Sequence, residues 1–153
     1  MGRLLFVMLM LVGAGCAPVA STQQTSVVHW RTLEAGRSEA AARQMPVLVD
    51  FYFGEGCHRC MAFDQKIYAS PAIVERVNKN FVPVRVILTD ELTAAEKELS
   101  ERLATGGECM LAFLDSTGRI ITDQQRQMIC TMQMITPEQF LDYLDKALQN
   151  LQQ

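Results

Sequence analysis

The chain has 153 residues, 49% hydrophobic, 20% charged and 7% aromatic, which fits one domain with a sizeable apolar core. A formal net charge of −3 excludes the strongly basic surface of a nucleic-acid binder, and nine Gly and five Pro exclude a collagen-like or low-complexity chain. There is no internal repeat and no apolar run long enough for a conventional membrane span with soluble flanks, whereas five cysteines in so short a chain point to cysteine chemistry.

Met1 to Cys16 reads MGRLLFVMLMLVGAGC: one cation at Arg3, an apolar stretch from Leu4 to Val12, then small residues. That order is the pattern of a secretory signal and is too short for a spanning helix. Cys16 directly after Gly-Ala-Gly resembles a bacterial lipobox, with Cys16 as the lipidated N-terminus, although Gly13 stands where a lipobox prefers Leu. Ordinary cleavage near Ala17 or Ala20 is the alternative. Both routes predict export, and loss of Arg3 takes the net charge to −4. Ala17 to Ser26 is small and polar without an apolar period, as in a flexible tether to a membrane anchor. The folded domain is expected from Val27 to Gln153.

Within that domain, Trp30 to Met45 has the composition of a surface helix stopped by Pro46. Val47 to Phe53 (VLVDFYF) is a near-continuous run of β-formers, as expected of a central strand covered on both faces. A helix is expected from the cysteine pair at 57 and 60 to about Tyr68. Ser70-Pro71 then restarts one, with Ile73, Val74 and Val77 on one side. Phe81 to Leu88 is the second buried strand, with Pro83 near its start. Thr93-x-x-Glu96 is a capping box ahead of a helix that carries Leu92, Leu99 and Leu103 on one face. Met110 to Leu114 is a third strand, Asp115 to Gly118 a turn, and Arg119 to about Met134 contains its antiparallel partner. Thr136-Pro-Glu-Gln139 opens a last amphipathic helix with Phe140, Leu141, Leu144, Leu148 and Leu151 at helical spacing. The order α-β-α-β-α-β-β-α predicts an α/β fold: a mixed central sheet with helices on both faces and an extra N-terminal helix.

Cys57-His58-Arg59-Cys60 follows a buried strand and opens a helix. Two intervening residues at a helix start bring both sulfurs within reach of a disulfide. The first thiol then lies beside free N–H groups and the positive end of the helix dipole. Cys57 is therefore the expected attacking sulfur and Cys60, one turn in, the resolving one. His58 and Arg59 add positive charge that favours the Cys57 thiolate. Three other readings of a CxxC are weaker. No second CxxC or His pair follows at zinc-finger spacing, the haem-attachment pattern needs a His where Met61 stands, and an inert structural bridge has no use for the strand-then-helix placement.

The stretch VLVDFYFGEGCHRC, followed by SPAIVERVNKNFVPVRV, CMLAFLDSTGR and a terminal amphipathic helix, resembles the thioredoxin-like superfamily. Within it, the chain is similar to exported thioredoxin-like proteins and to the periplasmic C-terminal domain of DsbD-type thiol reductases. The resemblance runs from about Val27 to Leu151. It implies thiol–disulfide exchange with protein thiols and disulfides, without a bound cofactor. It also implies that Asp50 is the buried acid that exchanges a proton with the resolving thiol, although one extra residue separates Asp50 from Cys57. Two further departures stand out: Gly56 replaces the Trp that usually precedes the first cysteine, and Cys109 falls where the family carries a cis-proline.

Cys109 and Cys130 flank the hairpin around Asp115 to Gly118 and are candidates for a second disulfide, which would need a bulge. Met128, Cys130, Met132 and Met134 alternate, with Cys109-Met110 nearby. Soft ligands of that kind suit Cu(I), but the same alternation describes one face of a strand core. His29 and Glu55 read as solvent-facing and Trp30 as packing the leading segment onto the sheet. The leading expectation is an exported, lipid-anchored thiol–disulfide oxidoreductase with catalytic Cys57 and Cys60, tuned by His58, Arg59 and Asp50. Soft-metal binding and a redox-inert interaction module are the alternatives.

Overall fold

The computed structural model describes residues 27–54, 56–104, 111–125 and 135–151. The element order is α1 (Leu33–Arg43), β1 (Val47–Tyr52), α2 (His58–Lys66), α3 (Pro71–Asn80), β2 (Val82–Ile87), α4 (Ala94–Ala104), β3 (Leu111–Leu114) and α5 (Pro137–Asn150). The three strands form one sheet in the order β2-β1-β3, with β1 parallel to β2 and antiparallel to β3. The central strand of this sheet is thus β1, as its near-continuous apolar run predicts.

Side-chain alternation divides the core into two layers. Val47, Val49 and Phe51 of β1 point, with Val82, Val84 and Val86 of β2, toward Leu33 and Ala40 of α1 and Leu99 and Leu103 of α4. Leu48 of β1 and Leu111 and Phe113 of β3 face the other way. They meet Phe63 of α2, Ile73, Val74 and Val77 of α3, and Phe140, Leu144 and Ala147 of α5. Helices therefore cover both faces, and both β1 and β3 contribute to both cores. Most of these side chains are fully buried, and removing one of that size from water contributes roughly 1.5–3 kcal/mol.

Local signals account for the helix ends. Thr32 caps α1 by accepting from the Ala35 N–H, and Gln44 ends it in the left-handed region at φ 53°. Trp30 precedes α1 instead of opening it. The Thr93 box is formed in both directions, by Thr93 N–H to Glu96 at 2.9 Å and Glu96 N–H to Thr93 Oγ1 at 3.3 Å. The Thr136–Gln139 box is likewise complete. Ser70 precedes α3 in extended backbone but makes no side-chain cap bond, leaving Pro71 to start the helix. The turn after β3 is held by Asp115, whose Oδ1 accepts from the N–H groups of Thr117 and Arg119. The chain beyond it returns antiparallel through a bridge between Leu114 and Ile120. Residues 126–134, where most of the fourth expected strand falls, lie outside the described residues.

Gly36 sits in the interior of α1, where glycine costs roughly 1 kcal/mol relative to alanine. A Cβ there would overlap Val84 Cγ2 of β2, so glycine is what lets α1 approach the sheet so closely. Among the described residues no helix is long and apolar enough to cross a membrane.

Candidate active site

At the carboxyl end of β1 the chain leaves the sheet through residues 53 to 56 and enters α2 at Cys57. Gly56 has φ 92°, a left-handed conformation that side chains rarely adopt, and open space surrounds the position a Cβ would take. Backbone conformation, not crowding, therefore favours glycine at this position.

Cys57 is the N-cap of α2, in extended backbone, and is bonded to Cys60 with a Cα–Cα separation of 5.3 Å. Its Sγ accepts the Cys60 N–H at 3.1 Å, so sulfur takes the place that a Ser or Asp oxygen fills in ordinary caps. The first turn of α2 carries no acidic residue to offset the helix dipole. A thiolate at Cys57 would thus face N–H groups and partial positive charge. Cys57 is half-buried and Cys60 buried, at 4% exposure. An incoming thiol therefore meets Cys57 first. His58 is exposed and Arg59 half-buried beside the pair.

Asp50 lies on β1, 7% exposed, on the sheet face that α2 covers. Its Oδ2 accepts from Nε of Arg85 at 2.8 Å. Arg85 is the parallel register partner of Asp50 on β2. The terminal nitrogens of the same guanidinium go to Asp64 of α2, from Nη2 to Oδ1 at 2.6 Å and from Nη1 to Oδ2 at 3.4 Å. Three rings surround the cation, with centroids 4.3 Å (Trp30), 4.7 Å (Tyr52) and 5.6 Å (Tyr68) from Cζ. One arginine thus joins the central strand, the cysteine-bearing helix and the segment before α1.

Burial dominates the titration of Asp50. It pushes the carboxyl up to about 6, against the attraction of Arg85, and the negative charge of Asp64 adds to the rise. Burial also opposes the charge of Arg85, but hydrogen bonds and fields from Asp64 and Asp50 outweigh it and hold that pKa above the usual arginine value. Burial raises the Tyr68 phenol well above its ordinary range, so it stays neutral.

The structure therefore brings together Cys57, Cys60, His58 and Arg59 at one helix end, with Asp50 on the strand beneath that helix. Arg85, Asp64 and the Trp30–Tyr68 pair join this group without a motif in the sequence that marks them. The available signal was an arginine inside an otherwise apolar strand, since a buried guanidinium requires an acid partner. Cys16, Glu55, Cys109, Met110, Met128, Cys130, Met132 and Met134 lie outside the described residues, and with them the second disulfide and the soft-metal alternative. Among the described residues no group of three or more His, Cys, Asp or Glu side chains is placed to hold a metal ion.

Comparison with known proteins agrees with this architecture. A protein named DsbH oxidoreductase superposes with a TM-score of 0.61 at 12% identity, over 89% of this chain and 96% of its own. A thioredoxin from Thermus thermophilus gives 0.55 at 19% identity, over 80% and 88% of the two chains. At such identities the likeness is one of fold. A family model described as thioredoxin-like matches residues 29–116, a span that includes all three strands, α1 to α4 and both cysteines of the helix-capping pair. With more than half of its length so matched, the chain belongs to the thioredoxin-like family.

Proposed function

We propose that this protein is an exported thiol–disulfide oxidoreductase, lipid-anchored through Cys16, that exchanges electrons with protein thiols through Cys57 and Cys60. The observation that carries the reading is a disulfide whose outer sulfur caps a helix at a strand-to-helix junction while its inner sulfur is buried. The N-terminal signal pattern and the lipobox-like Gly-Ala-Gly-Cys support export and anchoring.

The exchange balances without a cofactor. A substrate thiolate attacks Cys57 Sγ, the Cys57–Cys60 bond breaks, and Cys60 departs with the electron pair and takes a proton. The substrate's second thiolate then attacks its own sulfur in the mixed disulfide and expels Cys57 as thiolate. The protein pair gains two electrons and the substrate dithiol becomes a disulfide. Run backward, the same steps reduce a substrate disulfide. In that direction the buried Asp50 carboxylate is the group suited to accept the Cys60 proton near neutral pH, because burial places its titration at about 6.

Insulin reduction driven by dithiothreitol tests the proposal. The wild-type chain is expected to accelerate precipitation of the insulin chains, and Cys57→Ser to fall to the rate of dithiothreitol alone. No acceleration by the wild type, or activity unchanged in Cys57→Ser, would overturn it.

A further inference from the structure

We propose that the anchored protein carries its disulfide away from the bilayer, because the chain enters the fold at the pole opposite Cys57. Its exchange partners are then cysteines of proteins that stand clear of the membrane surface, and not thiols lying at that surface. The inference rests on the anchored, thiol-exchanging reading above and assigns the partner class of that same site.

The sheet register fixes the two poles. Arg31 pairs in parallel with Val84: its N–H donates to the Pro83 carbonyl at 2.9 Å, and its own carbonyl accepts from the Arg85 N–H at 3.0 Å. The segment before α1 therefore runs alongside β2 in the same direction, which puts Val27 beyond the amino-terminal end of that strand. Cys57 lies at the other end, since it follows Tyr52, which pairs in parallel with Ile87. Val27 is four residues before the Arg31–Val84 level, and Ile87 is three residues after it. At about 3.3 Å per residue the poles are roughly 23 Å apart, before the turn into α2 is added.

The point of entry is held in place. Val28 is buried in the core layer shared by α2, α3 and α5. Asn78, in the last turn of α3, clasps the residues on either side of it. Its Nδ2 donates to the Val27 carbonyl at 2.8 Å, and its Oδ1 accepts from the His29 N–H at 3.1 Å. One amide side chain thus takes the place of a strand partner for the first described residues. Val27 itself is 57% exposed and marks where the chain enters the fold.

Tether length turns this geometry into a preference. Ten residues, Ala17 to Ser26, separate Cys16 from Val27. A chain of that length reaches about 35 Å at full extension, and a coil of it averages roughly 17 Å from end to end. Laying the disulfide pole on the bilayer would lift Val27 by more than the roughly 23 Å between the poles and send the tether around the domain. That demands nearly full extension, which few conformations of such a chain provide. Keeping the clasped pole toward the membrane demands none, so Cys57 is carried outward.

The test uses the full lipidated chain on vesicles of phosphatidylethanolamine and phosphatidylglycerol, with an acceptor dye on the outer-leaflet lipids. A donor dye is carried on a non-natural residue at position 58, beside the disulfide, or at position 79, beside the clasp, both of which are exposed. Energy transfer is expected to be about threefold or more stronger from position 79. A second readout compares reduction of one disulfide peptide fixed at the bilayer by a short lipid link with the same peptide on a spacer of about 40 Å, longer than the extended tether. The spaced peptide should react about tenfold faster, and inserting about thirty Gly and Ser residues after Ser26 should bring the two rates within about twofold. Asn78→Ala, which releases Val27 and His29, should narrow the difference in the same direction. Equal transfer from both positions, or equal rates for the two peptides with the native tether, would overturn the proposal. A chain that does not attach to the vesicles would remove the anchoring reading, and this orientation with it. A chain that attaches with position 58 outward but reduces neither peptide nor insulin would remove the exchange reading, and the partner class with it.

Discussion

Neutralising the buried acid by Asp50→Asn is expected to stabilise the protein by about 3 kcal/mol at pH 8, a figure set by a rise from the ordinary 3.8 to about 6 at 1.36 kcal/mol per unit. The direction follows from proton binding. Because the folded-state pKa lies above the unfolded one, the folded state binds more protons than the unfolded state between about pH 4 and 6. Stability therefore declines as pH rises through that window and levels off above it, where the native chain must hold a desolvated carboxylate. The amide resembles the protonated acid and carries no such cost. Urea unfolding of the oxidised protein at pH 4.5 and pH 8 checks this: wild type should lose stability between the two, and Asp50→Asn should lose much less. Equal pH dependence in both proteins would mean that the pairing with Arg85 fully offsets the burial of Asp50. Under the proposed exchange, in which Asp50 accepts the Cys60 proton, the same substitution should also slow disulfide reduction at neutral pH. Stability gained together with activity lost is the mark of a buried charge kept for chemistry.

Phe140→Ala is expected to cost about 3–5 kcal/mol, the range for emptying a phenylalanine site in a packed core. Phe140 is fully buried in the first half of α5. Its ring lies edge-on to Phe63 of α2 at 5.7 Å and to Tyr68 at 5.8 Å, and Tyr68 in turn meets Trp30 at 4.9 Å. These rings form one wall between α5, the cysteine-bearing helix and the aromatic surround of Arg85. The Thr136 capping box holds Phe140 in register, since the Phe140 N–H bonds the Thr136 carbonyl at 3.0 Å. Removing the ring leaves a cavity bounded by other rings, which cannot collapse without shifting α2. Chemical denaturation with the Cys57–Cys60 bond intact measures the loss, and Phe140→Leu, which restores much of the volume, should recover part of it. A loss below about 1 kcal/mol for Phe140→Ala would show that α5 is not fastened to α2 through this ring.

The parts of this molecule that were legible in its sequence are those that physics makes local. The two capping boxes, the run from Val47 to Tyr52 and the apolar spacing of α3 and α5 each need only neighbours within a turn or two, and each forms. The cysteine pair belongs to the same class, because its strand-then-helix context is contiguous. The charge cluster does not. Arg85 meets Asp50 across 35 residues and Asp64 across 21, and nothing local in Val84-Arg85-Val86 names either partner. In a one-dimensional reading Asp64 is one more polar residue on a helix surface, and Trp30 belongs to the leading helix. Only the sheet register, which sets Asp50 opposite Arg85, converts those residues into one group. Gly36 shows the same limit: its place in a helix looks unfavourable until Val84 is seen to need the space.

The most direct test of a reversible Cys57–Cys60 couple is equilibration of the folded chain in glutathione buffers of stepped ratio, with acid quench, alkylation and peptide mapping of each cysteine. Cys57 and Cys60 are predicted to open and close together along a single two-electron curve, tenfold in equilibrium constant for about each 30 mV, while the protein stays folded. A Cys57–Cys60 bond that survives every buffer until the chain is unfolded would contradict the account.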